Sequence, residues 1–147
     1  MEAEPELAHL AAEIIVLGEI QGQPWVLLVK RRYQPYQGQW ALPGGQADVG
    51  EDLRATAIRE LREETGLTAG LLRLVGVYGY PGRDPRGRWV SWAYLKLVAG
   101  ELPTATAGDD AADVRWHPAR EIAYGGMRVA FDHAHLVRDA LRLASFT

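Results

Sequence analysis

With 147 residues, 48% of them apolar and 24% charged, the chain is long enough to bury a core of its own and has the composition of a soluble globular protein. A formal net charge of −3 offers no global positive field for nonspecific nucleic-acid binding, and the lack of cysteine excludes disulfides, zinc–thiolate sites and thiol catalysis. The acidic start MEAEPELAHLAAEIIVLGEI has no basic leader, and no apolar run approaches about 18 residues, so neither a signal peptide nor a membrane span is expected and a cytoplasmic location follows.

In chain order, residues 13–20 and 24–31 are apolar runs rich in Ile and Val, separated by Gln21-Gly22-Gln23, which predicts a β-hairpin. Residues 40–46, WALPGGQ, predict a short strand ending in a Pro-Gly-Gly turn, with Trp40 packing at the core or turn. From Asp52 to Thr65 no glycine or proline intervenes, and Leu53, Ala57 and Leu61 recur every four residues with Ile58 widening the stripe. An amphipathic helix stopped by Gly66 follows. Residues 71–81 and 88–100 predict two longer strands around the loop GRDPRG, and 113–118 a further strand. Residues 131–144 predict a second helix, with Ala134, Val137, Leu141 and Ala144 apolar. Strands flanking two separated helices predict the α+β class, as an α/β/α sandwich on a central mixed β-sheet in a single domain, 1–147.

The helix carries a cost that calls for a reason. Residues rotate by about 100° each along a helix, so Glu60 and Glu64 lie one above the other and Glu63 sits on the neighbouring row. Like charges so placed cost about 0.2–0.5 kcal/mol per pair, and more at the edge of a buried face. A Glu-rich helix face is ordinarily just solvated, and Arg59 with Glu63 is ordinarily a weak surface pair. A divalent cation would remove the conflict: Mg²⁺ and Mn²⁺ prefer carboxylate oxygens and keep waters for a phosphate to displace.

Gly45 is followed by five residues, Glu51, seven residues, then Arg59-Glu60-Leu61, Arg62, Glu63-Glu64, Thr65, Gly66 and Leu67. This stretch, 45–67, resembles the signature G-x5-E-x7-R-E-U-x-E-E-x-G-U of the Nudix hydrolase family, U being apolar, at every specified position. The resemblance implies hydrolysis of a nucleoside diphosphate linked to another moiety. It implies Mg²⁺ or Mn²⁺ held by Glu60, Glu63 and Glu64 with a backbone carbonyl of the Gly44-Gly45 turn, and Arg59 steadying Glu51 or Glu63.

Outside that stretch, Arg83, Arg86 and Arg88 crowd a loop with Asp84 and two prolines. Arginine forks suit phosphate, although solvated turn charges are the plainer reading. Asp109 and Asp110 could reach a metal site or simply form a turn. Asp132 opens the last helix, and His133 and His135, two residues apart, point to different sides of it, which favours structural or capping roles. The order DPRG, SWAYL, GDDA and AFDH is similar to the ADP-ribose pyrophosphatase branch of the Nudix family. That likeness implies ADP-ribose cleavage to AMP and ribose 5-phosphate. Arg83, Arg86 and Asp84 would then be the substrate-binding candidates and Asp109 or Asp110 an auxiliary carboxylate. Another nucleotide substrate (an oxidised nucleoside triphosphate, NADH or a dinucleoside polyphosphate) and a non-catalytic nucleotide sensor are the alternatives. Trp25, Tyr33, Tyr36, Tyr78 and Trp92 are candidates to stack on a base. Some relatives in this branch append a DNA-binding winged helix; the chain stops after its second helix, so neither that domain nor nucleic-acid binding is expected. Family members often form homodimers, which the sequence leaves open.

Overall fold

The computed structural model describes residues 3–108 and 110–146. Its organising strand is β1 (His9–Ile20), buried without interruption from Ala11 to Gly18. A strand hidden on both faces reads as a continuous apolar run, and Ala-Ala-Glu-Ile-Ile-Val-Leu is such a run apart from Glu13. β2 (Gln23–Arg31) returns antiparallel to it, β3 (Trp40–Ala41) and β4 (Gly44–Gln46) follow, and α1 (Leu53–Thr65) crosses one face. The chain continues through β5 (Arg73–Tyr78), β6 (Trp89–Leu97), β7 (Ala111–Pro118), α2 (Ala119–Ala123) and α3 (His133–Leu143). β6 lies parallel to β1 from His9–Trp89 to Leu17–Leu97, while the other pairings are antiparallel, so the sheet is mixed.

Alternation along β1 separates two cores. Ala12, Ile14 and Val16 face Ala57 and Leu61 of α1. Ile15 and Leu17 face the opposite side, where Ile122 of α2 and Leu136, Val137 and Leu141 of α3 cover them. Each large aliphatic side chain so buried contributes about 1.5–3 kcal/mol. The predicted sandwich is therefore the one found.

The region 40–46 differs from expectation in a way that shapes the site. β1 and β2 pair only between residues 17–20 and 23–26 and then splay apart. β3 pairs with β2 at Val29 and Lys30, whereas β4 pairs with β1 at Ala11, Ala12 and Glu13. One predicted strand is thus two, each on a different neighbour, wedged into the fork. Pro43 marks the switch: it has no N–H to donate, and its carbonyl accepts from the Ile14 amide at 3.0 Å.

Smaller corrections have simple causes. Ile58 is 42% exposed instead of widening the apolar stripe, because α1 packs along the narrow Ala57–Leu61 line. The strand expected over 71–81 is confined to Arg73–Tyr78, with a register shift between Leu74 and Gly76. α2 is too short to show periodicity in sequence. Among the described residues no helix is long and apolar enough to cross a membrane.

Candidate functional site

α1 ends where the sequence says it should: Gly66 adopts φ 77° and its amide bonds to the Arg62 carbonyl. The remaining end carbonyls are met from outside the helix. The amides of Thr106 and Gly108 donate to the Thr65 and Glu64 carbonyls, both at 3.0 Å. This strap carries Asp110 into the neighbourhood of Glu64, where it lines the same cavity. Asp109 lies outside the described residues.

Glu60 and Glu64 come together as helix geometry requires. Glu64 is 7% exposed, and the Gly44 amide makes a long 3.4 Å contact with its Oε1. A Cβ at Gly45 would stand 2.8 Å from both Cδ and Oε1 of Glu60, so only glycine lets the turn approach that carboxylate undisturbed. Burial pushes both carboxyls above their usual range, and Glu64 well above it, since a hydrogen bond and the charge of Glu60 hold a proton there. Glu63 is different: its side chain is 53% exposed, pairs with Arg59 at 3.2 Å, and does not line the cavity described next.

Arg59 ties these groups together. Its guanidinium grips Glu51 through Nε at 2.8 Å and Nη2 at 2.9 Å, reaches Glu60 at 2.8 Å, and donates to the Gln46 carbonyl at 3.1 Å. Glu51 also accepts from the Thr56 hydroxyl and the Asp48 amide. These bonds, Arg59 first, hold its carboxyl down at about 2. The expected choice between Glu51 and Glu63 as partner is thus resolved as both.

A cavity of about 290 Å³ opens over the Glu60–Glu64 pair and the glycine turn. Arg31 and Arg86 line it together with Tyr33, Trp89 and Phe131. Arg86 lies over Trp89 at 4.1 Å and Arg31 over Phe131 at 5.0 Å. Burial, and then the charge of Arg86, lowers the pKa of Arg31, which among the described residues has no salt bridge. Arg31, Trp89 and Phe131 were not singled out by the sequence reading. Arg31 sits inside an ordinary strand pattern, and Trp89 is told apart from Trp92 only by the phase of β6.

The loop residues behave differently from one another. Arg83, expected to reach toward substrate, is buried, with Nη2 and Nε on the Asp132 carboxylate at 2.7 and 2.9 Å and Nη1 on the Ser91 hydroxyl at 3.0 Å. Asp132 therefore does not cap α3 with its side chain. Asp84 bonds to Arg86 at 2.7 Å, and although burial opposes it, the contacts with Arg86 keep its carboxyl below the usual range. Tyr33 lines the cavity and Tyr36 packs on Phe131 at 4.7 Å. Tyr78 donates instead to Asp139 at 2.7 Å, and Trp92 packs in the core beneath α1. Trp40 packs edge-on to His117. His133 is buried with Nδ1 accepting from the Leu42 amide, and His135 faces outward toward Asp139, so the two histidines do point apart.

The donors fit a hard divalent cation. Two crowded, buried carboxylates would be relieved of their mutual repulsion by a shared cation, and the bare backbone at Gly45 leaves the Glu60 carboxylate undisturbed to meet it. Among the described residues no three His, Asp or Glu side chains form a closed cage. The remaining positions would fall to backbone oxygen, water and phosphate, as Mg²⁺ prefers.

Known proteins share this architecture. An ADP-ribose pyrophosphatase of Methanocaldococcus jannaschii is 37% identical over 91% of this chain and 76% of its own length. The NUDIX domain of Shewanella oneidensis NrtR, solved in complex with ADP ribose, superposes with a TM-score of 0.86 at 29% identity, covering 95% of this chain and 90% of that one. A bifunctional NMN adenylyltransferase/ADP ribose pyrophosphatase from Francisella tularensis, complexed with AMP and a Mn ion, gives a TM-score of 0.77 at 30% identity over 96% of this chain and 43% of its own. The profile of the NUDIX domain matches residues 7–140, and the chain belongs to that family.

Proposed function

We propose that the protein hydrolyses ADP-ribose to AMP and ribose 5-phosphate with Mg²⁺ or Mn²⁺. The observation that carries this reading is the Glu60–Glu64 pair set against the Gly44–Gly45 turn, beneath a cavity walled by arginines and aromatic rings. The relatives named above, one an ADP-ribose pyrophosphatase and one bound to ADP ribose, support the choice of substrate.

Glu60 and Glu64 hold the metal, and Arg59 fixes Glu60 while Glu51 and Glu63 fix Arg59. The bound ion would polarise the diphosphate and lower the pKa of the attacking water. Arg31 neutralises the diphosphate oxygens, and Arg86, whose Nε and Nη2 hold Asp84 but whose side chain is 42% exposed, adds its remaining nitrogen. Arg83, buried with all three nitrogens on Asp132 and Ser91, is less suited. Trp89, Phe131 and Tyr33 offer faces for the base. Water attacks one phosphorus, the bridging P–O bond breaks, and the water's proton passes to a carboxylate. Asp110 fits that role, since it lines the cavity and has no hydrogen bond among the described residues.

The test is product analysis on ADP-ribose with Mg²⁺ for wild type and Glu64→Gln. Release of AMP by wild type, with a loss of about a hundredfold in the variant (about 2.7 kcal/mol of barrier), is the expected result. An inert wild type overturns the reading. The NrtR resemblance favours one second reading, a nucleotide sensor, whose signature is ADP-ribose binding with Mg²⁺ and no turnover.

A further inference from the structure

Glu13 is the one charge in the buried run of β1. It is in phase with Ile15 and Leu17, so its side chain is aimed at the face that α3 covers, and the residue is only 8% exposed. A buried carboxylate is costly unless charge or hydrogen bonds compensate it. Here compensation is partial. The Ser91 hydroxyl donates to Oε1 at 3.1 Å, and His133 Nε2 stands farther off, at 3.8 Å. The nearby cation is already engaged: Arg83 gives two nitrogens to Asp132 and the third to Ser91. Oε2 of Glu13 has no hydrogen-bond partner among the described residues. A buried acceptor left open in this way calls for an explanation.

Its position supplies one. Glu13 lines the cavity with Ser91 and His133, and it faces Gly44 across the β1–β4 pairing, beside the turn that approaches Glu60. Any ligand lying over the glutamate pair would pass it. A second phosphate is the wrong partner, since like charges repel in a buried site. A third carboxylate for the metal is also disfavoured, because no three acidic or histidine side chains converge among the described residues. A sugar hydroxyl suits it: an O–H donor satisfies the open oxygen without adding charge, as acidic residues do for ribose in dinucleotide sites.

We propose that Glu13 is a specificity-determining residue that accepts hydrogen bonds from a ribose of the substrate. The proposal rests on the nucleotide-diphosphate reading of the site. It makes the cavity selective for a sugar-bearing diphosphate over one that presents a further phosphate at the same place.

The test is calorimetric titration of wild type and Glu13→Gln, with Mg²⁺, using three probes. They are the non-hydrolysable α,β-methylene analogue of ADP-ribose, ADP, and 2′,3′-dideoxy-ADP. The amide keeps the shape and removes a buried charge, so folding should survive; a thermal melt of each protein checks this. If Glu13 meets the distal ribose, the variant weakens the ADP-ribose analogue about tenfold or more and leaves ADP unchanged. If it meets the adenosine ribose, the analogue and ADP weaken together while dideoxy-ADP does not. Equal loss on all three probes, or no loss on any, overturns the assignment. Failure of wild type to bind the ADP-ribose analogue overturns the proposed substrate instead, and the ADP and dideoxy-ADP titrations still judge Glu13.

Discussion

Gly108 rests directly on the backbone of Glu63: a Cβ placed on it would lie 1.6 Å from the Glu63 carbonyl oxygen. That approach lets the Gly108 amide bond to the Glu64 carbonyl and seats the strap that bears Asp110. Gly108→Ala therefore cannot be absorbed by a flexible side chain and must displace backbone. A loss of about 2 kcal/mol or more is expected, read as a lower denaturant midpoint. Turnover should fall as well, since the Asp110 segment shifts.

Gly45→Ala is the contrasting case. Its methyl would meet only the carboxylate end of Glu60, which can swing aside. Folding should be nearly unchanged, whereas Mn²⁺ affinity, followed by electron paramagnetic resonance, should fall about tenfold or more. A variant with wild-type Mn²⁺ affinity would show that Glu60 does not hold the ion.

Arg59→Lys tests the scaffold around the glutamates. A lysine ammonium cannot span Glu51, Glu60, Glu63 and the Gln46 carbonyl together, as the guanidinium does. A loss of about 10–100-fold in kcat or Mg²⁺ affinity is expected, with the charge retained. Unaltered kinetics would remove Arg59 from the supporting set.

Arg31 and Arg83 should separate binding from stability. Arg31→Ala should raise KM for ADP-ribose about tenfold or more at a cost of only about 1 kcal/mol in stability, because it gives up a hydrogen bond to the Pro35 carbonyl but no ion pair among the described residues. Arg83→Ala leaves Asp132, 6% exposed at its side chain, without its bidentate partner. That should cost about 3–5 kcal/mol of stability, seen in chemical denaturation.

The metal-free protein should grow less stable as pH rises. The folded-state pKa values of Glu60 and Glu64 lie above the ordinary 4.5, so their contribution is complete below that value and is lost as pH climbs through the raised ones. Glu51, held at about 2, acts with the opposite sign but only below pH 4.5. His117, whose pKa burial lowers, also opposes the trend, yet it is common to wild type and Glu64→Gln. The melting temperature of wild type in EDTA should thus match Glu64→Gln near pH 4.5 and drop below it at higher pH, and Mg²⁺ should close the gap. A constant difference across this range would refute the pKa assignment.

What the sequence made legible is what short-range geometry governs. Helix rotation alone puts Glu60 over Glu64, and four-residue spacing alone seats Ala57 and Leu61 on the sheet. Arg83 does line the cavity, but its engagement is not legible in the sequence, because its partner, Asp132, lies 49 residues away and only folding closes the pair. Trp89 escaped notice for a subtler reason. It shares a phase with Ser91, Ala93 and Leu95, and so faces the cavity side, while Trp92 is one step out of phase and faces α1. Gly108 gives no local signal, because what it avoids is the Glu63 backbone.

The fork between β1 and β2 makes the sheet a partition with a window in it. Glu60 and Glu64 stand on one side, on α1, while the rings and charges of the β5–β6 loop and of the segment before α3 stand on the other. They share one cavity, beside which Gly44 and Gly45 thin the wall to bare backbone. Changes on the far side can therefore retune which molecule is accepted without disturbing how it is cut, so a lineage of such proteins could diversify its diet while inheriting one cutting edge.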